Sequence, residues 1–227
     1  MLILALDTAS IYCAVALTRQ KSVIAHISER MNKGHAEKLI GYIAQVTNQA
    51  NTTLDQVDRI AVNIGPGSFT GVRVGVSTAR ALSLALEIPA VGVSALEALA
   101  VQASNKNSGL AITVVIEAGR DMFYHQNFSE DLIPLGAPGL KTIENIIEDL
   151  PQQTRLIGPA ADIIALHIKN KKVNKDIVFD QNLCKAADLV SYAYLAESKK
   201  PQDRPCPLYL RSADAKQQTG FALPRKK

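Results

Sequence analysis

Hydrophobic positions along the chain follow two patterns, one typical of β-strands and the other of α-helices. Short apolar runs rich in β-branched residues predict strands, whereas apolar residues that recur every three or four positions predict helices. The predicted strands are residues 2–8, 12–18, 22–29, 59–64, 90–93, 111–116, 122–128, 155–157 and 177–179. The predicted helices are residues 36–46, 68–87, 95–103, 142–150, 160–169 and 185–198. This order predicts two α/β domains of related build.

A polar, turn-rich segment divides this pattern near its middle. Residues 104–109 carry no large apolar side chain, which is typical of a loop between domains. We therefore expect an N-terminal domain at residues 1–105 and a smaller C-terminal domain at residues 106–227. The second domain is expected to close with an extended crossing segment at 201–207 and a frayed tail at 216–227.

Composition narrows the class of protein without indicating a chemistry. A chain of 227 residues can bury a hydrophobic core without disulfides or metal ions to stabilise it. Its net charge of +4 is too small to predict nucleic-acid binding alone. Three cysteines, Cys13, Cys184 and Cys206, fit neither a disulfide framework nor a zinc knuckle. No uninterrupted apolar run approaches the roughly 20 residues of a membrane span, and the first one predicts a strand, not a signal peptide. We expect a soluble, cytoplasmic protein.

A Gly-Pro-Gly turn joins the predicted strand at 59–64 to the predicted helix at 68–87. Free N–H groups at a helix start can hold an anion. No acidic residue between Ser68 and Leu86 neutralises the positive end of this helix. The spacing after Gly65 lacks the lysine of a P-loop, and Thr70 replaces the third glycine of a dinucleotide fingerprint. Ser68 is the expected N-cap. The turn is therefore either an anion contact through Gly65, Gly67 and Ser68 or a structural junction.

Asp7 and Thr8 follow the first predicted strand at a second tight turn. A carboxylate there can meet a metal–phosphate pair, or it can close its own turn through backbone hydrogen bonds, and both interpretations stay open. The four histidines share no ligand spacing, so we predict no metal site. No nucleophile motif occurs either, and we predict no catalytic residue.

Small residues spaced four apart form a stripe along one side of the second predicted helix. They are Gly71, Gly75, Ala79 and Ser83. Glycine costs a helix about 1 kcal/mol relative to alanine, which suggests that another backbone approaches closely. That backbone belongs either to the same domain or to a partner subunit.

Four stretches make the sequence resemble the TsaB (YeaZ) family. They are residues 4–10, 34–39, 60–73 continuing to 89–94, and 207–211. The resemblance implies an actin-like fold of the sugar kinase and Hsp70-like ATPase superfamily, a tandem of two related α/β domains. The sequence departs from that superfamily at Thr8, where glycine usually follows the aspartate, and at Glu117-Ala-Gly-Arg120, where the family has Asp-Ala-Arg.

The Gly65–Arg73 block also resembles the catalytic sister family, TsaD (Kae1). Alignment on residues 89–93 places that family's two metal-binding histidines at Ala95 and Leu99, with Glu97 kept between them. Neither side chain can bind a metal. The comparison therefore implies a partner subunit and not the enzyme.

The resemblance implies a non-catalytic scaffold that binds TsaD and, through it, TsaE. The complex would form N6-threonylcarbamoyladenosine in tRNAs that read ANN codons, with tRNA contacted indirectly and no membrane involved. The chain alone is expected to be a homodimer. No tightly bound cofactor is expected, and any ATP or ADP would bind at the interface with a partner.

Two residue sets follow from this interpretation. The expected partner interface consists of His35, Leu39, Tyr42, Gly71, Gly75, Ala79 and Ser83. The expected nucleotide or anion contacts are Asp7, Thr8, Gly65, Gly67 and Ser68. One alternative is a small ATP-dependent phosphotransferase that uses Asp7 with Gly65 and Gly67; another is a glycoprotease-like peptidase, for which the sequence lacks a nucleophile–base pair.

Overall fold

Two five-stranded mixed sheets, each covered by helices on both faces, form the molecule. The computed structural model describes residues 1–104, 109–179, 186–201 and 204–211. The strands are β1 (Leu2–Asp7), β2 (Tyr12–Arg19), β3 (Ser22–Arg30), β4 (Arg59–Asn63), β5 (Ala90–Val93), β6 (Ala111–Gly119), β7 (Met122–Phe128), β8 (Gly139–Lys141), β9 (Gln153–Ile157) and β10 (Asp176–Phe179). The helices are α1 (His35–Gln49), α2 (Phe69–Leu86), α3 (Ala95–Ser104), α4 (Ile143–Asp149), α5 (Ala161–Lys171) and α6 (Leu189–Ser198), with a short 3-10 helix at Leu54–Gln56. The predicted two-domain α/β class is confirmed.

The first sheet has the strand order β3-β2-β1-β4-β5, with β1 at its centre. Alternate side chains of β1 belong to different cores, because successive residues of a strand point to opposite faces. Leu4 and Leu6 pack with α1 and α2, whereas Ile3 and Ala5 pack with α6. Burial on both faces explains why β1 is an almost continuous apolar run.

The second sheet has the order β10-β9-β6-β7-β8 and is likewise covered on both faces. Ile112 and Val114 of β6 pack against α3, whereas Val115 packs against α4 and α5. The sequence did not predict β8, a three-residue strand after a Pro- and Gly-rich loop. Its pairing with β7, for example Leu140 opposite Tyr124, makes it a strand.

Helix α6 follows the second sheet in the chain but packs on the first. Its Tyr192 is buried against β1, and the Arg59 guanidinium donates to the carbonyl oxygens of Ala196 and Lys199 at the end of the helix (2.5 and 3.1 Å). A cation there also complements the negative end of the helix dipole. Helix α3 packs on the second sheet, α6 packs on the first, and the two helices contact each other. They therefore occupy the space between the two sheets.

Residues 204–211, which we call the strap, run from α2 to the second sheet. The Arg80 Nε donates to Pro205 O (2.7 Å), Leu208 N to Ile64 O (2.8 Å), and Arg211 Nη1 to Ala118 O (2.7 Å). Both sheets are therefore tied to one extended segment, in agreement with the crossing segment predicted at 201–207.

Some predictions fall outside the described residues. They are the domain boundary between residues 105 and 106, the start of the last helix at residue 185, Cys184, and the tail at 216–227. In the described part, α6 begins at Leu189, and the Asp188 side chain caps it by accepting from Ser191 N (2.8 Å). Within the same ranges, none of the helices combines the length and hydropathy that crossing a membrane requires.

Candidate functional site

A cleft of about 640 Å³ lies between the two sheets. Its walls are the turn after β1, the Gly-Pro-Gly turn before α2, the start of α3 and the turn between β6 and β7. The lining residues include Ser10, Asn63, Gly67, Ser68, Ala95, Leu99, Glu117 and Tyr124. Several positions that the sequence singled out, far apart along the chain, therefore line the same cleft.

Asp7 ends β1, and one oxygen of its carboxylate accepts three hydrogen bonds from its own domain. Its Oδ1 accepts hydrogen bonds from Ala9 N (2.8 Å), Ser10 N (3.3 Å) and Asn63 Nδ2 (2.8 Å). Burial raises the pKa of the Asp7 carboxyl, against the opposing effect of these bonds. The geometry is the turn-closing arrangement, the second of the two interpretations.

Protein acceptors bind two N–H groups at the Gly-Pro-Gly junction. Gly65 N donates to Asn63 Oδ1 (2.8 Å), and Ser68 N donates to Ala9 O (2.8 Å). Ser68 Oγ accepts from Gly71 N (3.2 Å), which confirms the predicted N-cap. A Cβ at position 67 would lie 2.4 Å from Ala9 O, so glycine is required for contact with the neighbouring turn. These contacts support a structural junction.

The small stripe of α2 packs inside the first domain, which corrects its placement on a partner surface. A Cβ at Gly71 would lie 1.9 Å from Thr8 O, and one at Gly75 would lie 2.7 Å from Thr8 Oγ1. The Thr8 hydroxyl donates to Gly71 O (2.7 Å), and Ala79 is fully buried. Ser83 is half-buried and donates to Ile88 O. The closely approaching backbone is therefore the end of β1.

The α1 residues expected at the interface also face inward. Leu39 is fully buried and Tyr42 nearly so, and the Tyr42 hydroxyl donates to Glu29 Oε2. His35, at the first position of the helix, is half-buried. These positions lie on the side of α1 that packs on β2 and β3, because residues three and four apart share a helix face. Leu39 and Tyr42 are core residues, so their assignment to a surface was wrong.

The outward face of α1 is the surface that sequence reasoning missed. Ile40 is 59% exposed, and Ala36 and Ala44 are exposed one turn to either side of it. On α2, Leu84 is 78% exposed. Spacing alone gave no such signal, because Ile40 lies four residues after Ala36 and three before the buried Ile43, as a member of the apolar repeat would.

Ala95 and Leu99 form an apolar part of the cleft wall at the start of α3. Glu97, between them, is held in an ion pair with Lys199 Nζ (2.7 Å) and accepts from Ser94 N (3.0 Å). In the described ranges, no group of three or more His, Cys, Asp or Glu residues is placed to hold a metal ion.

Comparisons with known proteins agree on one family. The family model for TsaD, tRNA N6-adenosine threonylcarbamoyltransferase, matches residues 22–200, which is more than half of the chain. The tRNA threonylcarbamoyladenosine biosynthesis protein TsaB of Buchnera aphidicola subsp. Schizaphis graminum is 31% identical over 88% of this chain and 96% of its own length.

Two further relatives support the same assignment. The Escherichia coli TsaB protein is 35% identical, over 58% of this chain and 56% of its own length, so that match spans only about half of the relative. The solved structure of YeaZ from Pseudomonas aeruginosa superposes with a TM-score of 0.74 at 25% identity, covering 92% of this chain and 99% of that one. This chain therefore has the fold of that YeaZ structure. This chain, which the TsaD family model also matches, belongs to the TsaB (YeaZ) family of tRNA threonylcarbamoyladenosine biosynthesis proteins.

Proposed function

We propose that this chain is a non-catalytic subunit that binds TsaD, and TsaE within the same complex, during formation of N6-threonylcarbamoyladenosine in tRNAs that read ANN codons. The observation that carries the proposal is the apolar cleft wall at Ala95 and Leu99. These are the positions at which the catalytic sister family has its metal-binding histidines, and neither side chain offers a metal a ligand atom. Glu97, the remaining polar group there, is neutralised by Lys199.

TsaD would bind the outward face of α1 and the end of α2 at Leu84. Ile40, Ala36 and Ala44 give α1 an exposed apolar strip, and exposed apolar surface rimmed by polar side chains is typical of protein interfaces. The glycine stripe contributes indirectly, because it sets how closely α2 packs on the sheet. In the absence of TsaD, the same faces would pair two copies of this chain.

The hydrogen bonds around Asp7 argue against tight nucleotide binding by the isolated chain. A phosphate would have to displace bonds that Asp7, Gly65 and Ser68 already make within the protein, each worth about 1 kcal/mol. ATP or ADP would accordingly bind at the shared interface with TsaD. Isothermal titration calorimetry of the isolated chain with Mg-ATP tests this, and submicromolar binding would instead favour the phosphotransferase alternative.

A reconstitution tests the proposed function directly. The purified chain is mixed with TsaD, TsaE, tRNA and the substrates, and threonylcarbamoyladenosine is measured with each protein omitted in turn. We expect product only when all three are present. Undiminished product without this chain would refute the subunit role.

Surface variants test the proposed contact with TsaD. Ile40→Glu places a charge in the exposed strip of α1 and should abolish co-elution with TsaD on size exclusion. Leu166→Glu is the matched control, because Leu166 is also a largely exposed helical aliphatic (60%), but on α5 of the second domain. Equal loss of TsaD with both variants, or retention with both, would contradict the assignment to α1.

A further inference from the structure

A cluster of aromatic and arginine side chains lies where the strap crosses the start of α2. The rings of Phe69 and Tyr209 stack with centroids 4.8 Å apart, and the Arg73 guanidinium carbon lies 3.8 Å from the centroid of Phe69. Arg73 Nε donates to the Tyr209 hydroxyl (2.9 Å). Arg73 is exposed, Phe69 is 37% exposed and Tyr209 is 45% exposed. The cluster is therefore an ordered stack with planar groups accessible to solvent.

Two more arginines extend this cluster along the strap. Arg80 and Arg204 line a cavity of about 450 Å³ beside α2, and Arg80 Nη2 donates to Cys206 Sγ (3.1 Å). No acidic residue occurs in α2 or in the strap, although Glu87 lines the same cavity. We call Phe69, Arg73, Arg80, Arg204 and Tyr209 the arginine–aromatic ridge. It combines exposed rings with three cations from segments more than 100 residues apart.

We propose that the arginine–aromatic ridge binds RNA, with Arg73 and Arg204 contacting phosphates and a nucleobase stacking on Tyr209. This inference rests on the proposed function, which gives the chain a tRNA to contact, and it makes that contact direct. Arginine pairs with phosphate through a planar fork of donors, and unpaired bases stack on aromatic or guanidinium planes. Such stacking tolerates any base, so the ridge would bind a single-stranded loop without reading its sequence.

The position of the ridge favours RNA over a second protein contact. The strap packs at the β5 side of α2, where Pro205 approaches Gly92, whereas α1 lies on the side of β2 and β3. The exposed strip of α1 and the ridge are therefore separated by the width of α2. A ridge with three arginines and no acid of its own suits a polyanion better than the mixed charges of a protein rim.

Binding of an unmodified tRNA transcript tests the proposal. The transcript reads an ANN codon, carries a fluorophore and is titrated with the full chain by anisotropy at several salt concentrations. In the double variant Arg73→Gln/Arg204→Gln, loss of two single-strand phosphate contacts should lower the affinity roughly 25-fold at 0.1 M salt and reduce the log–log salt slope by about 1.4. The matched control is Lys169→Gln/Lys171→Gln on α5, which removes the same charge from another exposed site and should bind within about twofold of the unmodified protein.

Tyr209 separates stacking from charge. Tyr209→Ala should weaken tRNA binding at least about fivefold, whereas Tyr209→Phe, which keeps the ring, should not. Thermal melts and TsaD co-elution are measured on every variant, so that a loss of folding or of the complex is recognised. Saturable tRNA binding by the unmodified chain that fails specifically in the ridge variants supports the proposal. No binding by the unmodified chain, equal losses in ridge and α5 variants, or lost TsaD co-elution with retained tRNA affinity each overturn it. Failure of the unmodified chain to co-elute with TsaD would instead count against the proposed function.

Discussion

Alanine at Gly71 should destabilise the first domain although alanine is the better helix former. Gly71 lies inside α2, and a Cβ there would be 1.9 Å from the backbone oxygen of Thr8. The backbone oxygen of Thr8, which directly follows the central strand β1, cannot rotate away as a side chain can. Helix α2 would therefore have to move by about 1 Å or more to restore an ordinary contact distance.

The magnitude follows from three contributions. Overpacking against a rigid neighbour costs about 3 kcal/mol, at the upper end of its usual range. The displaced helix also lengthens the hydrogen bond from Thr8 Oγ1 to Gly71 O (2.7 Å), which costs about 1 kcal/mol. Replacing glycine in a helix returns about 1 kcal/mol. The free energy of unfolding should thus fall by about 3 kcal/mol.

Gly41→Ala is a matched control within the same domain. Gly41 lies inside α1, where a Cβ would have no neighbouring atom within 4 Å, so the substitution should stabilise by up to about 1 kcal/mol. Urea denaturation followed by far-UV circular dichroism measures both variants. A Gly71→Ala protein as stable as the unmodified chain would refute the close-approach reasoning.

A double-mutant cycle separates the two glycines of the stripe. The Cβ at position 75 would meet the Thr8 side-chain oxygen at 2.7 Å, whereas that at position 71 meets the Thr8 backbone. Removing the hydroxyl with Thr8→Ala should therefore relieve most of the overpacking cost of Gly75→Ala. For Gly71→Ala it should relieve only the roughly 1 kcal/mol assigned to the hydrogen bond from Thr8 and leave the overpacking against the backbone. Equal coupling of Thr8→Ala to both substitutions would contradict this assignment.

Three other predictions concern buried charge. Arg59→Met removes the guanidinium that binds Ala196 O and Lys199 O and should therefore release the end of α6. Amide hydrogen exchange in residues 189–198 should become faster, and unchanged exchange would contradict this role. Burial raises the pKa of Asp7 above 3.8, so the folded state keeps a proton that the unfolded state loses. Asp7→Asn should therefore gain stability relative to the unmodified chain as pH rises above about 4 in urea titrations. Burial, with Lys141 nearby, lowers the pKa of His125 to about 4, so the unfolded state binds a proton before the folded state does. The free energy of unfolding should therefore fall by at most about 1.4 kcal/mol per pH unit as pH drops from about 6.5, and His125→Gln should flatten that dependence.

Local patterns were sufficient to predict nearly every strand and helix of the described chain. Strand β1 was recognisable because it is buried on both faces, and Ser68 was recognisable as a cap because a hydroxyl precedes an apolar repeat. The short β8 was missed because its strand conformation comes from pairing with β7 and not from its own three residues.

Long-range contacts were beyond the reach of those patterns. The stripe on α2 correctly indicated a close backbone, but spacing along one helix cannot say which backbone it is. Only the fold shows that Thr8 fills the place assigned to a partner. Likewise, Phe69 and Tyr209 are separated by most of the chain, and nothing in either segment predicts that the strap brings their rings together. Periodicity in α1 did not separate core from surface either, because Ile40 lies three residues before the buried Ile43 and is nevertheless 59% exposed.

The hydrogen bonds of Thr8 and Asp7 hold the turn after β1 against the start of α2. Asp7 Oδ1 accepts from Ala9 N and Asn63 Nδ2, and the Thr8 hydroxyl donates to Gly71 O. The N–H groups of Gly65 and Ser68 donate to Asn63 Oδ1 and Ala9 O. A buried polar group left without a partner costs about 1–3 kcal/mol, so a corner built to receive a ligand is destabilised while empty. The bonds of Asp7 Oδ1, of the Thr8 hydroxyl and of the two N–H groups avoid that cost, and Thr8 closes α2 onto the turn after β1. The junction therefore fixes α2 on the first sheet, which would give the proposed TsaD contact a rigid base.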